Sequence, residues 1–156
     1  MKTLIAYAGK KGATEELART IAAPLNGEAD LVNLQKDAEP NPADYDCVIV
    51  GGAVFAGTVY KAVRSFCEKH EESLRSRRLA LFLCSLREEE VENTFARSFP
   101  ASLRSQAAQQ SWLGGRIRFT DHNVIIRSML KKIMGTADDV ENMRWDAARQ
   151  LASVAR

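Results

Sequence analysis

The residues from Ala8 to Thr14, Ala-Gly-Lys-Lys-Gly-Ala-Thr, place two glycines, two lysines and a hydroxyl directly ahead of a helix-period segment. Exposed N–H groups and the positive end of a helix dipole make such a turn an anion site, and Gly9 and Gly12 let backbone wrap closely around a phosphate-sized group. The lysine-then-hydroxyl ending of a P-loop is missing, and the glycine spacing does not give the dinucleotide fingerprint. An ordinary strand-to-helix turn with Thr14 as N-cap is the other reading. A second small-residue run, Gly51-Gly52-Ala53-Val54-Phe55-Ala56-Gly57-Thr58, would let a flat ring lie against the backbone. Gly57 there can take positive φ and present an N–H, and Phe55 can stack or fill the core. A third, Cys84-Ser85-Leu86-Arg87, offers a hydroxyl, N–H groups and a guanidinium. Arg87 reaches either a substrate carboxylate or Glu89 and Glu90 at a helix start.

All three runs follow buried strands. Thr3 to Tyr7, Asp46 to Gly52 and Leu79 to Ser85 read as near-continuous apolar strands, with a shorter one over Leu31 to Leu34 and a fifth over Trp112 to Phe119. Gly114 and Gly115 weaken that last strand. Helical periodicity runs from Thr14 to Leu25, with Leu17, Ala18, Ile21, Ala22 and Leu25 on one face, and again from Val59 to Leu74. A helix from Glu88 to Ser98 breaks at Phe99-Pro100 and resumes to Gln109, followed by helices over Val124 to Met134 and Asp138 to Ala155. Alternating buried strands and helices predict an α/β three-layer sandwich whose five-stranded parallel sheet has the order 2-1-3-4-5. Ligands in such a sheet bind outside the carboxyl ends of the strands, where the three runs lie.

Composition narrows the classes. With 156 residues, 46% of them hydrophobic, the chain reads as one domain over 1–156 carrying a basic insertion or extension at about 116–136. A net charge of +2 does not imply a nucleic-acid partner. Cys47, Cys67 and Cys84 are an odd, scattered set without histidine at ligand spacing, so they read as core filling rather than a disulfide or metal site. No stretch of roughly 18–20 apolar residues and no signal-type block precedes the first strand. These features place the chain in the cytoplasm, with the inner face of the membrane as a peripheral location if the basic segment docks there. His70 reads as a packing or helix-terminal residue, and His122 as a proton carrier or a surface side chain. Neither has the partner that hydrolytic chemistry requires, so no catalytic residue is assigned.

The start Met1-Lys2-Thr3-Leu4-Ile5 and the Gly12-x-Thr14-Glu15 ending resemble the phosphate loop of flavodoxins, and in particular the menaquinone-dependent protoporphyrinogen oxidase branch. That resemblance implies FMN held noncovalently. Its phosphate would sit on Ala8, Gly9, Lys10, Lys11, Gly12, Ala13 and Thr14, and its ring against Ala53, Val54, Phe55, Ala56, Gly57 and Thr58, with Ser85, Leu86 and Arg87 as the second wall. Ala8, Gly9 and Ala13 stand where hydroxyl or amide side chains are common, so binding leans on backbone and on Lys10 or Lys11. Ala56-Gly57 replaces the branch's Tyr-Gly pair, leaving Phe55 as the stacking aromatic.

Gly115-Arg116-Ile117-Arg118-Phe119, Lys131-Lys132-Ile133-Met134 and Trp145-Asp146 are similar to an insertion and terminal helix of the same branch. The branch oxidises protoporphyrinogen IX, in porphyrin biosynthesis, and passes electrons toward quinone. Thr120, Asp121, His122 and Asn123 replace aromatics of that insertion. By itself, Arg116 to Lys132 is the most polarised stretch: Arg116, Arg118, Arg127, Lys131 and Lys132 oppose Asp121, and apolar residues from Val124 to Met134 repeat with helical spacing. Such a helix suits an anionic membrane, a partner, an acidic substrate, or plain packing on the sheet with solvated charges. Three functions stay open: a porphyrinogen-oxidising flavoenzyme with quinone as acceptor, an FMN electron carrier with a redox partner protein, and an interaction module without cofactor.

Overall fold

The computed structural model describes residues 1–118, 123–135 and 139–156. Strand β1 (Thr3–Ala8) is buried along its whole length. Its two faces serve two cores: Ile5 and Tyr7 point to one, Leu4, Ala6 and Ala8 to the other. Strands β2 (Ala29–Asn33), β3 (Cys47–Phe55), β5 (Arg78–Cys84) and β6 (Gln109–Trp112) join it in a parallel sheet of order β2-β1-β3-β5-β6. Counting parallel strands alone, this is the 2-1-3-4-5 order expected of the flavodoxin fold. The fifth strand is shorter and earlier than the sequence suggests, because the chain turns out of the sheet at Gly114, where φ is +73°.

One face is covered by α1 (Ala13–Ala22) and α7 (Trp145–Leu151), whose Leu17, Ile21, Ala148 and Leu151 close over Ile5, Ile49 and Phe82. The other face takes α2 (Lys61–Lys69), α3 (Glu71–Arg75), α4 (Val91–Ser98) and α5 (Ala101–Gln106), through Phe66, Leu74, Phe95 and Leu103. Burying each such side chain contributes roughly 2 kcal/mol. Cys47, Cys67 and Cys84 are free thiols within these cores. Burial pushes the Cys47 thiol up to about 11 and the Cys67 and Cys84 thiols to about 12, so none is a thiolate at neutral pH.

Several segments depart from their sequence reading. The expected helix from Val59 begins at Lys61, because Thr58–Val59 is a short strand, β4, folded back on the end of β3. It also breaks at His70, whose ring packs at a tilt against Phe66 with centroids 4.9 Å apart. Val140–Met143, expected as helix, is strand β8, paired antiparallel with β7 (Gly114–Ile117) in a separate ribbon. Its helix-like apolar spacing yields to the hydrogen bonds that β7, having left the sheet, would otherwise lack. Helix α6 (Val124–Met134) occupies the expected residues, with the Asn123 side chain accepting from the Ile126 N–H and Gly135 left-handed at its end. It is not packed on the sheet, and none of its described side chains is buried. His122 lies outside the described residues.

Candidate functional site

Register brings the three small-residue runs side by side. Ala8 at the end of β1 lies opposite Gly52 of β3, and Ala53 lies opposite Cys84 at the end of β5. A Cβ on Gly52 would come within 2.5 Å of the Ala8 carbonyl oxygen, so glycine is what lets these strand ends approach.

After Ala8 the chain turns through Gly9 to Gly12 into α1. Gly12, at φ +88°, is the N-cap, and no side chain caps the helix. Thr14 therefore does not cap, contrary to one sequence reading; it is the buried second residue of α1, and the upward push of burial on the Cys84 thiol is opposed by a hydrogen bond with the Thr14 side chain. Gly9 is held by this packing, since a Cβ there would fall 2.6 Å from Thr14 Oγ1. A Cβ on Gly12, by contrast, would meet nothing within 4 Å, so the helix opens onto space. The Gly9 N–H donates to Gln35 Oε1 at 3.1 Å, a tie from beyond β2 that nothing local in the sequence announced. Lys10 lies over Tyr60 beside the next strand end, its Nζ 5.9 Å from the centre of the ring.

Carboxylates in the first turn would oppose an anion at this helix end, and both have cationic partners. Glu15 pairs with Arg19 at 3.0 Å, and Glu16 with Arg116. Arg116 also pairs with Glu141 at 2.7 Å. This corrects the picture of Arg116 as part of an exposed basic face: its side chain is 8% exposed and clamps the β7–β8 ribbon to α1. Its hydrogen bond is the main cause that holds the Glu16 carboxyl below its usual range. The ends of a βα loop and of a ribbon far along the chain thus meet through one guanidinium that periodicity could not single out.

The run Ala53 to Thr58 is a tight β-hairpin rather than an open loop. Ala56 (φ +55°) and Gly57 (φ +86°) form its two-residue turn, and Phe55 at the tip is 52% exposed. The tip is fastened to α4: Arg97 donates to the Gly57 carbonyl at 3.3 Å, and the Val59 N–H donates to Ser98 Oγ at 2.9 Å. Left-handed Ala56 holds about 1 kcal/mol of strain that glycine would not.

At the end of β5, the Ser85 N–H donates to the Gly114 carbonyl at 2.8 Å. Trp112 Nε1 donates to the Ser85 carbonyl at 2.9 Å and lies 3.2 Å from its hydroxyl. Ser85 is therefore committed to protein partners, and Leu86 and Arg87 are the next backbone groups along this wall. Arg87 Nε lies 3.2 Å from Glu89 and its guanidinium 3.9 Å from Glu90, as its alternative reading held. Trp112 is itself covered by Arg144, 4.9 Å from its ring.

Comparison with known proteins agrees with this architecture. Residues 4–143 match the family model described as a flavodoxin domain. The whole chain aligns at 28% identity with 93% of the length of a protein from Escherichia coli (strain K12) named protoporphyrinogen IX dehydrogenase [quinone]. Among solved structures, a flavodoxin from the domain Archaea superposes with a TM-score of 0.57 over the full length of both chains at 14% identity. Flavodoxin 1 from Bacillus cereus does so at 0.56, covering 99% of this chain and 96% of its own, at 13% identity. With sheet order, strand-end geometry and a family match over most of its length in agreement, the chain belongs to the flavodoxin family.

Proposed function

We propose that this protein is an FMN-dependent oxidoreductase that takes hydrogens from a porphyrinogen and delivers them to a quinone. The observation that carries the flavin is the α1 N-terminus: a left-handed glycine cap without a side-chain acceptor, open space beyond it, and first-turn carboxylates each neutralised by an arginine. A phosphate monoester fits such an end through backbone N–H groups of Gly12 to Thr14, with Lys10 and Lys11 adding positive charge. The hairpin Ala53 to Thr58 forms one wall for the ring, with Phe55 as its exposed aromatic, and Ser85 to Arg87 the other. Because Ser85 already serves Gly114 and Trp112, the N–H groups of Leu86 and Arg87 are the donors that would meet the polar edge of the ring.

A bound flavin supplies reversible uptake of electrons with protons, which the side chains here cannot do. The chain's own contribution is to hold, orient and exclude. The thiol of Cys84, kept protonated by burial, stays out of the chemistry. The porphyrinogen and quinone assignments rest on the similarity to the Escherichia coli dehydrogenase along the full chain, and on the basic segment, which suits a propionate-bearing substrate.

Flavin titration tests the phosphate site. FMN should bind at least about tenfold more tightly than riboflavin, and Gly12→Asp should abolish the difference by placing a carboxylate at the phosphate. Gly12→Asn, which tolerates the same left-handed backbone without the charge, should retain most of it. Equal affinity for FMN and riboflavin would overturn the phosphate placement. For the substrate, anaerobic mixing with protoporphyrinogen IX should bleach the flavin absorbance, and quinone should restore it. If only a reductase protein bleaches it, the chain is an electron carrier instead.

A further inference from the structure

Of the six exposed large apolar side chains among the described residues, four stand on α6: Val124 (67% exposed), Ile125 (73%), Met129 (45%) and Ile133 (63%). At about 100° per residue, Ile125, Met129 and Ile133 form a line one turn apart, with Ile126 and Leu130 half-buried beside it. Arg127 and Lys131 lie on the opposite side, and Lys132 borders the line. The helix has three cations and no acid. Both ends are specified by caps, so the sequence invests in a helix whose apolar face it leaves uncovered.

We infer that this face docks on an anionic phospholipid bilayer. An apolar line bordered by Lys132, on a helix with three cations and no acid, suits the interface between headgroups and acyl chains, where the Lys132 stem lies along the apolar boundary and the net positive charge of the helix is drawn to lipid phosphates. Arg118, exposed just after β7, adds a further cation on the approach to the helix. A second copy of the chain fits less well. It would bring together two helices that each carry three cations and no acid, and one helix stripe is far short of the roughly 800 Å² per partner that a stable interface buries. The position gives docking a use. The ribbon leading to α6 starts at the carboxyl edge of the sheet, where the Gly115 Cβ position is 3.2 Å from the Ser85 backbone, so the segment that carries α6 leaves the fold beside the candidate site. The inference does not depend on the flavin, because vesicle binding is read without it.

The test is co-sedimentation of the full chain with vesicles of phosphatidylcholine alone and of phosphatidylcholine mixed with phosphatidylglycerol. Partition onto the anionic vesicles should exceed that onto the neutral ones by at least about tenfold at low salt and fall as salt rises. Ile125→Ala, Met129→Ala and Ile133→Ala together keep helix propensity while removing the apolar line. That triple variant, and separately Arg127→Glu with Lys131→Glu, should each lose the partition while melting as the parent does. A dye attached at Met129→Cys should shift to the blue on anionic vesicles, and it labels selectively because the native thiols are buried. The inference is overturned if partition ignores lipid charge, if the triple alanine variant binds as the parent does, or if the chain forms a dimer that the triple variant abolishes while vesicles go unbound.

Discussion

Arg116 shows how far one side chain can reach in this fold. It is almost enclosed, its hydrogen bond to Glu16 lowers that carboxyl below the usual 4.5, and the same contact raises its own pKa. Because Glu16 ionises more easily folded than unfolded, its contribution to stability is fully present above about pH 4.5 and is lost as pH falls through the lower folded value. Urea midpoints measured between neutral and acidic pH should therefore drop less steeply in Glu16→Gln than in the parent, with the parent more stable at neutral pH and the two converging in acid. From sequence, Arg116 looked like one more cation in a basic run, because burial of a charge depends on partners many residues away. Gly57, by contrast, was legible: its positive φ follows from the turn it sits in, and the structure has it at +86°. The alternative that made Thr14 a cap fails because, although a hydroxyl before a helix usually serves that end, here the left-handed Gly12 takes the position and the hydroxyl turns to Cys84.

Elements buried on both faces were readable because burial writes itself into continuous apolar runs, as in β1, β3 and β5. Helix α6 was readable for a different reason, its period, although that does not tell where its face points. The β7–β8 ribbon was not readable. Strand pairing is a long-range property, and the four residues of β8 share apolar spacing with a helix. Gly114 is the ribbon's pivot: its φ is +73° and a Cβ would lie 1.8 Å from the Asn142 carbonyl oxygen. Gly114→Ala should cost about 2–3 kcal/mol, since left-handed strain and a backbone clash add. Hydrogen exchange should show the loss first in 114–117 and 140–143, and a variant with unchanged protection there would contradict this role.

At the scale of the molecule, the sandwich and the candidate site are built from the strand ends and the helices that cover them, while α6 stands apart on the ribbon. Ile117 is the rung of that ribbon nearest α6, and it faces Val140 directly. The chain thus leaves and returns at one point, so the intervening excursion can be cut out between two directly paired residues. Replacing residues 118–139 by Asn-Gly, the pair favoured for a two-residue antiparallel turn, should give a shorter chain that folds with the parent's far-ultraviolet spectrum and melting temperature. Its flavin affinity should match the parent's and its vesicle binding should vanish, whereas a chain that fails to fold would show that the excursion helps hold the sandwich. The same geometry makes the open end of the β7–β8 ribbon a graft point: exchanging the excursion between flavodoxin-family chains would exchange the surface each presents there while the strand ends of the candidate site stay as they are, so the two can vary separately on one scaffold.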